Sequence, residues 1–233
     1  MFELKGVHAG YAGTTVLRGV DLVVPDGAVV ALLGANGAGK TTLLRCASGL
    51  IHATEGSMSL DGEDVTRKAP HQLVKRGICH VPEGRGIFPS LTVRDNLVLQ
   101  SPRGKENESI EKACSAFKRL GERLNQPCGT MSGGEQQMVA LARTYVQNPK
   151  VALLDEVSMG LAPKIVDEIF EFLGLLRDQG SSLLLVEQYV TRALDVADYV
   201  YLLNKGEVVF VGQPSELDEA DVFNQYVGAD IGH

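Results

Sequence analysis

The sequence predicts an α/β fold: a largely parallel sheet covered by helices on both faces, an N-terminal antiparallel β part and a helical subdomain. Three observations carry this expectation. Apolar runs of strand length at residues 28–33, 151–154 and 182–186 alternate with helix-length stretches, as strands buried on both faces of a parallel sheet do. The opening of the chain reads as strand, turn, strand, with no helix between. In the middle, Ile110, Ala113, Phe117, Leu120 and Leu124 recur at helical spacing, which places a helical insert between two α/β stretches.

Residues 2–7 and 16–24 are rich in β-branched side chains and flank a Gly/Thr-rich loop at 10–15. Pro25-Asp26-Gly27 supplies the turn into strand 28–33. A glycine-rich loop follows, then a helix over 40–48 stopped by Gly49. Residues 57–60 with Asp61-Gly62 read as a strand entering a hairpin. Pro70–Arg76 predicts a short helix, 77–81 a strand and 82–90 a loop rich in Gly and Pro. Thr92-x-x-Asp95 is a capping-box pattern opening a helix over 92–99. The polar stretch 101–108 reads as a connector and 109–124 as one helix. Helix 134–146, strand 151–154, helix 162–177, strand 182–186 and a short helix over 191–197 restore the alternation. Residues 199–203 and 208–211 flank Asn204-Lys205-Gly206, a hairpin pattern.

At roughly 150 residues per domain, 233 residues suggest one domain, with a core large enough to need no disulfide or metal staple. The net charge of -7, from 22 basic and 29 acidic residues, repels a phosphate backbone, so no nucleic-acid partner is expected. A single lysine aimed at a nucleotide remains compatible with that balance. No apolar run approaches the ~20 residues that cross a bilayer, and the N-terminus lacks a signal pattern, so the chain is expected neither to cross nor to enter a membrane. Cys46, Cys79, Cys114 and Cys128 form no C-x-x-C pair and read as free thiols in a reducing compartment. Cys79 and His80 are strand neighbours that face opposite ways, so they do not share a metal. None of the 5 histidines has a recognisable partner pattern.

Three motifs carry chemistry. Gly34-Ala35-Asn36-Gly37-Ala38-Gly39-Lys40-Thr41, followed by Thr42, fits G-x-x-x-x-G-K-[ST] between a buried strand and a helix. In that context the main-chain N–H groups wrap phosphates, Lys40 places a point charge on them, Thr41 offers a hydroxyl to Mg²⁺, and the helix dipole adds to the site. The dinucleotide pattern G-x-G-x-x-G fails, because Thr42 stands where its third glycine belongs. Val151-Ala152-Leu153-Leu154-Asp155-Glu156 is an apolar strand that delivers two carboxylates, one suited to Mg²⁺ and one to activating water. Alone it reads equally as a solvated strand end. Ser132-Gly133-Gly134-Glu135 opens a helix, and taken alone is a plain N-cap as readily as an anion site.

The phosphate loop, then the Ser132-Gly133-Gly134-Glu135 segment, then the Asp155-Glu156 strand, in this order along the chain and at these spacings, resemble the ATP-binding subunit of an ABC transporter over essentially the whole chain. The resemblance implies a P-loop NTPase fold of the ABC ATPase kind, a single domain over 1–233 with a helical subdomain at about 91–147, and ATP and Mg²⁺ as cofactors. It implies that Tyr11 stacks on adenine, where an exposed turn tyrosine is the alternative. Ser132, Gly133 and Gly134 match the signature motif that contacts the γ-phosphate bound by the opposite subunit. Asp155 matches the Mg²⁺-supporting acid and Glu156 the general base. Glu83, in Val81-Pro82-Glu83-Gly84-Arg85, stands where the family usually has a Gln that senses Mg²⁺ and the membrane subunits. Gln188 stands where it usually has a switch His, and Ala162 replaces a common Asp. A Gln amide can hydrogen-bond a phosphate but takes no part as acid or base near neutral pH.

Val-Pro-Glu-Gly-Arg, Val-Glu-Gln and Gly-Leu-Ala-Pro are together similar to the LivF-type subunits of branched-chain amino acid importers. The resemblance implies a Mg²⁺-dependent ATPase lying peripherally on the cytoplasmic face of the cell membrane. Its partners would be a second ATPase subunit, either a different chain or a copy of itself, two membrane permease subunits and, indirectly, an extracytoplasmic binding protein. The permease grip is expected at residues 82–97 and the helical insert. Another cargo such as urea, a soluble ABC ATPase of DNA repair or translation, and a low-turnover nucleotide-dependent regulatory module remain alternatives.

Overall fold

A computed structural model describes residues 1–84 and 86–217. Arg85 and the last stretch of the expected 1–233 domain lie outside the described residues. Strands β1 (Phe2–Tyr11) and β2 (Thr14–Val24) form a hairpin, and β3 (Val29–Leu33) leads into α1 (Lys40–Ala47). Strand β4 (Glu55–Leu60) and the short β5 (Glu63–Asp64) form a second hairpin, followed by α2 (Pro70–Arg76) and β6 (Ile78–Val81). Helices α3 (Val93–Val98), α4 (Glu106–Ala116), α5 (Lys118–Gly121) and α6 (Gly133–Gln147) separate β6 from β7 (Val151–Asp155). Then come α7 (Pro163–Asp178), β8 (Ser182–Val186), α8 (Val190–Val196), β9 (Tyr199–Asn204) and β10 (Glu207–Gly212).

The described strands form two sheets. One is antiparallel, in the order β2-β1-β4-β5, and the other runs β10-β9-β3-β8-β7-β6. The second is parallel except at β10, which returns antiparallel on β9. Every residue of β3, β7 and β8 is buried, which explains their unbroken apolar runs. Alternate side chains serve two cores. Val30, Leu32, Leu153 and Leu184 pack toward the antiparallel sheet and α1, with Phe2, Leu22 and Leu43. Ala31, Leu33, Leu154 and Leu185 pack toward α6 and α7, with Leu141, Ile169 and Phe172.

The structure corrects three expectations. The 10–15 loop is almost entirely strand: β1 and β2 are joined by Ala12 and Gly13 alone, at φ 44° and 85°, the left-handed pair of a tight hairpin turn. Tyr11, Thr14 and Thr15 have strong strand preference and carry the ladder into what reads locally as a loop. The connector at 101–108 already contains the first turn of α4. The single helix over 109–124 is broken at Phe117 (φ −129°, ψ 90°), whose ring turns inward and stacks on Phe172 with centroids 4.5 Å apart. Burying that ring outweighs continuing the helix.

The β9–β10 hairpin buttresses the loop before α1. Gly206 N–H donates to the Ala38 carbonyl at 2.9 Å, and Arg18 N–H donates to the Gly206 carbonyl at 2.8 Å. Gly206 sits at φ 86°, and a Cβ there would collide with the Val16 carbonyl oxygen. Gly62 has a similar φ of 78° but open space around it. Gly206→Ala is therefore expected to cost about 2–4 kcal/mol, a Tm loss of roughly 5–15 °C in thermal unfolding, and Gly62→Ala only about 1 kcal/mol. Equal losses would show that the hairpin does not support the loop.

Candidate nucleotide and metal site

The carboxyl ends of β3, β6, β7 and β8 meet at one rim, and the candidate residues leave from those ends. After β3, Gly34, Gly37 and Gly39 all take positive φ, and the loop folds around the Lys40 side chain. The buried Lys40 ammonium donates to the carbonyls of Gly34 (2.7 Å) and Ala35 (3.1 Å), so its charge is held inside the curve of the loop. Helix α1 has no acidic residue in its first turn and no side-chain cap at Gly39. Its N-terminal N–H groups and dipole are thus available to an anion. Ala35, Asn36 and Ala38 form the rest of the curve, and Ala38 N–H closes it on the Ala35 carbonyl at 3.0 Å. Thr41 and Thr42 begin the helix.

Thr41 Oγ1 donates to Asp155 Oδ1 at 3.3 Å, which joins the phosphate loop to the end of β7. Asp155 is 1% exposed. Burial raises its pKa to about 6; the Thr41 hydrogen bond opposes this, while Glu156 and Glu83 add negative charge and Arg45 offsets part of it. The rim therefore crowds carboxylates around a hydroxyl. This hard-oxygen set fits Mg²⁺, whose charge would relieve the crowding. Among the described residues no three His, Cys, Asp or Glu side chains form a self-sufficient metal group, so such an ion needs phosphate or water oxygens as well.

Glu156 adopts φ 50°, a left-handed conformation that costs a non-glycine residue about 1–3 kcal/mol and persists only where its surroundings enforce it. Its N–H donates to the Val186 carbonyl at 2.9 Å. Tyr11 is 39% exposed, with its hydroxyl 3.5 Å from Thr42 Oγ1 and 3.4 Å from Arg45. Its ring therefore stands beside the start of α1. Glu83 and Gln188 are both exposed at the rim, after β6 and β8.

Ser132 caps α6. Its hydroxyl donates to Glu135 Oε2 at 2.8 Å and accepts from Glu135 N–H at 3.4 Å, a complete capping box, and Arg123 holds the other Glu135 oxygen at 2.9 Å. Ser132 faces solvent, whereas Gly134 is buried: a Cβ there would lie 2.8 Å from Ile165 Cγ2. Gly134 thus lets α6 approach α7. Cys79 meets Thr144 on one side of β6 and His80 meets Ser48 on the other, as the strand alternation requires.

Two residues at this rim were not singled out in the sequence. Arg45 lies on α1 beside Tyr11 and Asp155. Glu187 is only 3% exposed and accepts from Ser158 N–H at 3.1 Å, with the Ser158 hydroxyl on its other oxygen. Burial raises its pKa to about 7. The signal for Glu187 was present, an acid at the end of an apolar strand, the same pattern that marks Asp155.

A model of the ABC transporter family matches residues 17–159. The chain is 41% identical over 212 residues to the "High-affinity branched-chain amino acid transport ATP-binding protein BraG" of Pseudomonas aeruginosa, covering 90% of this chain and 91% of that one. It is 37% identical over 229 residues to the "Probable branched-chain amino acid transport ATP-binding protein LivF" of Archaeoglobus fulgidus, covering 97% of each. Among solved structures, the ADP conformation of an ATP-binding cassette of an ABC transporter superposes with a TM-score of 0.85 at 25% identity, covering 100% of this chain and 99% of that one. The phosphate loop, the acid-bearing strand and the rim that joins them thus belong to a member of the ABC transporter family, as an ATP-binding subunit.

Proposed function

We propose that this chain hydrolyses ATP to drive an importer of branched-chain amino acids. The observation that carries the reading is the Thr41–Asp155 contact, which sets the phosphate loop, a buried metal-type carboxylate and Glu156 at one rim. The names of the two relatives support the cargo. Residues 1–233 act as a single ATPase domain, with 91–147 as its helical part. It pairs with a second ATPase subunit, a different chain or a copy, and binds two permease subunits at the cytoplasmic face of the membrane. An extracytoplasmic binding protein delivers the cargo to them. Among the described residues no helix is long and apolar enough to cross a membrane, so the permease subunits supply the path.

In this reading the main-chain N–H groups of 34–42 and the Lys40 ammonium hold the β- and γ-phosphates of ATP, and Tyr11 stacks on the adenine. Thr41, Asp155 and Glu83 would hold Mg²⁺ together with phosphate and water oxygens. When bound, Mg²⁺ would supply positive charge against the negative charge that develops on the phosphates. Glu156 accepts the proton of the attacking water, and the Gln188 amide hydrogen-bonds the γ-phosphate. Ser132, Gly133 and Gly134 face the nucleotide of the opposite subunit, with Gly134 also securing the seat of α6 on α7.

Reconstitution with the permease and binding-protein partners tests this directly. Glu156→Gln is expected to lower ATP turnover and labelled leucine uptake about 10²–10⁴-fold while leaving ATP affinity within a few fold. Undiminished turnover would reject Glu156 as the base, and uptake of urea in place of leucine would reject the cargo.

Asp155 makes a separate prediction about stability. Burial lifts its folded pKa to about 6, above the ordinary aspartate value of 3.8. The folded state therefore binds more protons across that window, and stability without nucleotide falls as pH rises from about 4 to 6. Asp155→Asn is expected to raise the Tm of the nucleotide-free chain at pH 7 and to leave it nearly unchanged at pH 4. A lower Tm at pH 7 would contradict this.

A further inference from the structure

The turn that carries Glu156 is held from one side. After Asp155, whose strand partner is Val186, the chain takes the left-handed step at Glu156 and doubles back so that Ser158 lies over the end of β8. Four hydrogen bonds hold this turn: Glu156 N–H to the Val186 carbonyl at 2.9 Å, Met159 N–H to the Glu156 carbonyl at 3.3 Å, Ser158 N–H to Glu187 Oε1 at 3.1 Å, and the Ser158 hydroxyl to Glu187 Oε2. Two of the four, those made by the Ser158 N–H and hydroxyl, end on one carboxyl group. Ser158 is fully buried and Glu187 nearly so, so a Ser158 N–H deprived of this carboxyl would be a buried donor without its acceptor.

We propose that Glu187 is a positioning residue for ATP hydrolysis: its carboxyl clamps the Ser158 turn and thereby fixes where the Glu156 carboxylate points. The claim rests on the reading of Glu156 as the base. Glu187 is adjacent to Gln188, so the same clamp ties the loop after β8 to the loop after β7. A disturbed clamp releases the turn that carries Glu156, and the left-handed step there, no longer enforced, relaxes. Glu187 itself is buried and turned to Ser158, so it acts through these neighbours and touches no reacting atom.

The test uses the full chain assembled with its transporter partners and three variants. Glu187→Ala is expected to lower kcat for ATP roughly tenfold to a hundredfold, the size of a misplaced catalytic group, with KM for ATP within about twofold. Glu187→Gln keeps an acceptor for Ser158 N–H and lets its amide donate to the Ser158 hydroxyl oxygen, reversing that bond without losing it, and is expected to restore most of the turnover. In a Glu156→Gln background, Glu187→Ala is expected to change the residual turnover by less than about twofold, because its effect passes through Glu156. Equal losses in both backgrounds, or a folded Glu187→Ala protein with wild-type kcat, would overturn the positioning role alone. Full turnover in Glu156→Gln would overturn the base assignment and this role with it. If Glu187→Ala does not fold, Ser158→Ala carries the same test: lowered kcat with unchanged KM supports the clamp, and unchanged kcat overturns it.

Discussion

Parallel pairing of β3, β8, β7 and β6 is the constraint on which the rest of the molecule depends. The register sets Ala31 beside Leu185, Leu154 beside Leu185, and Val81 beside Leu154. All four strands then end at one rim, and the loops leaving them carry Lys40, Glu83, Glu156 and Gln188 to a common space. Ligands of open α/β sheets gather at such carboxyl ends for this reason. The register is strongly specified, because a slip by one residue would exchange the two cores between which Val30 and Ala31 are divided.

The rim is also electrostatically incomplete. Glu156 and Glu83 add negative charge beside the buried Asp155, while Lys40 is turned into the phosphate loop and Arg45 only partly compensates. A divalent cation and a polyphosphate would supply the two missing charge patterns, one for the acids and one for the loop and the start of α1. The fold therefore carries a local cost at Asp155 and Glu156 in exchange for a site that binding relaxes.

Much of this was legible in the sequence because it is local. The phosphate loop needs a spacing of glycines, a lysine and a hydroxyl between strand and helix, and all of it lies within ten residues. Asn204-Lys205-Gly206 marked its hairpin for a similar reason, although the turn itself is Lys205-Gly206. What escaped was non-local. Beside the glycines of residues 10–15 the strand preference of Tyr11, Thr14 and Thr15 is outweighed locally, and only cross-strand pairing carries β1 and β2 through them. Phe117 fits a helical period until Phe172, far along the chain, offers it a stacking partner. Glu187 reads as a polar residue ending a strand, and only the return of Ser158 over β8 turns it into a buried clamp. Gly134 reads as a signature residue, and its contact with Ile165 adds a packing duty that spacing alone does not reveal.

The most direct test of the shared rim is pulsed EPR of Mn²⁺ in place of Mg²⁺, bound with ATP to the full chain carrying Glu156→Gln to prevent turnover. The account predicts phosphorus hyperfine coupling to the bound Mn²⁺, with metal affinity reduced by Thr41→Val and by Asp155→Asn. Mn²⁺ that binds without phosphorus coupling, or with an affinity indifferent to both substitutions, would contradict it.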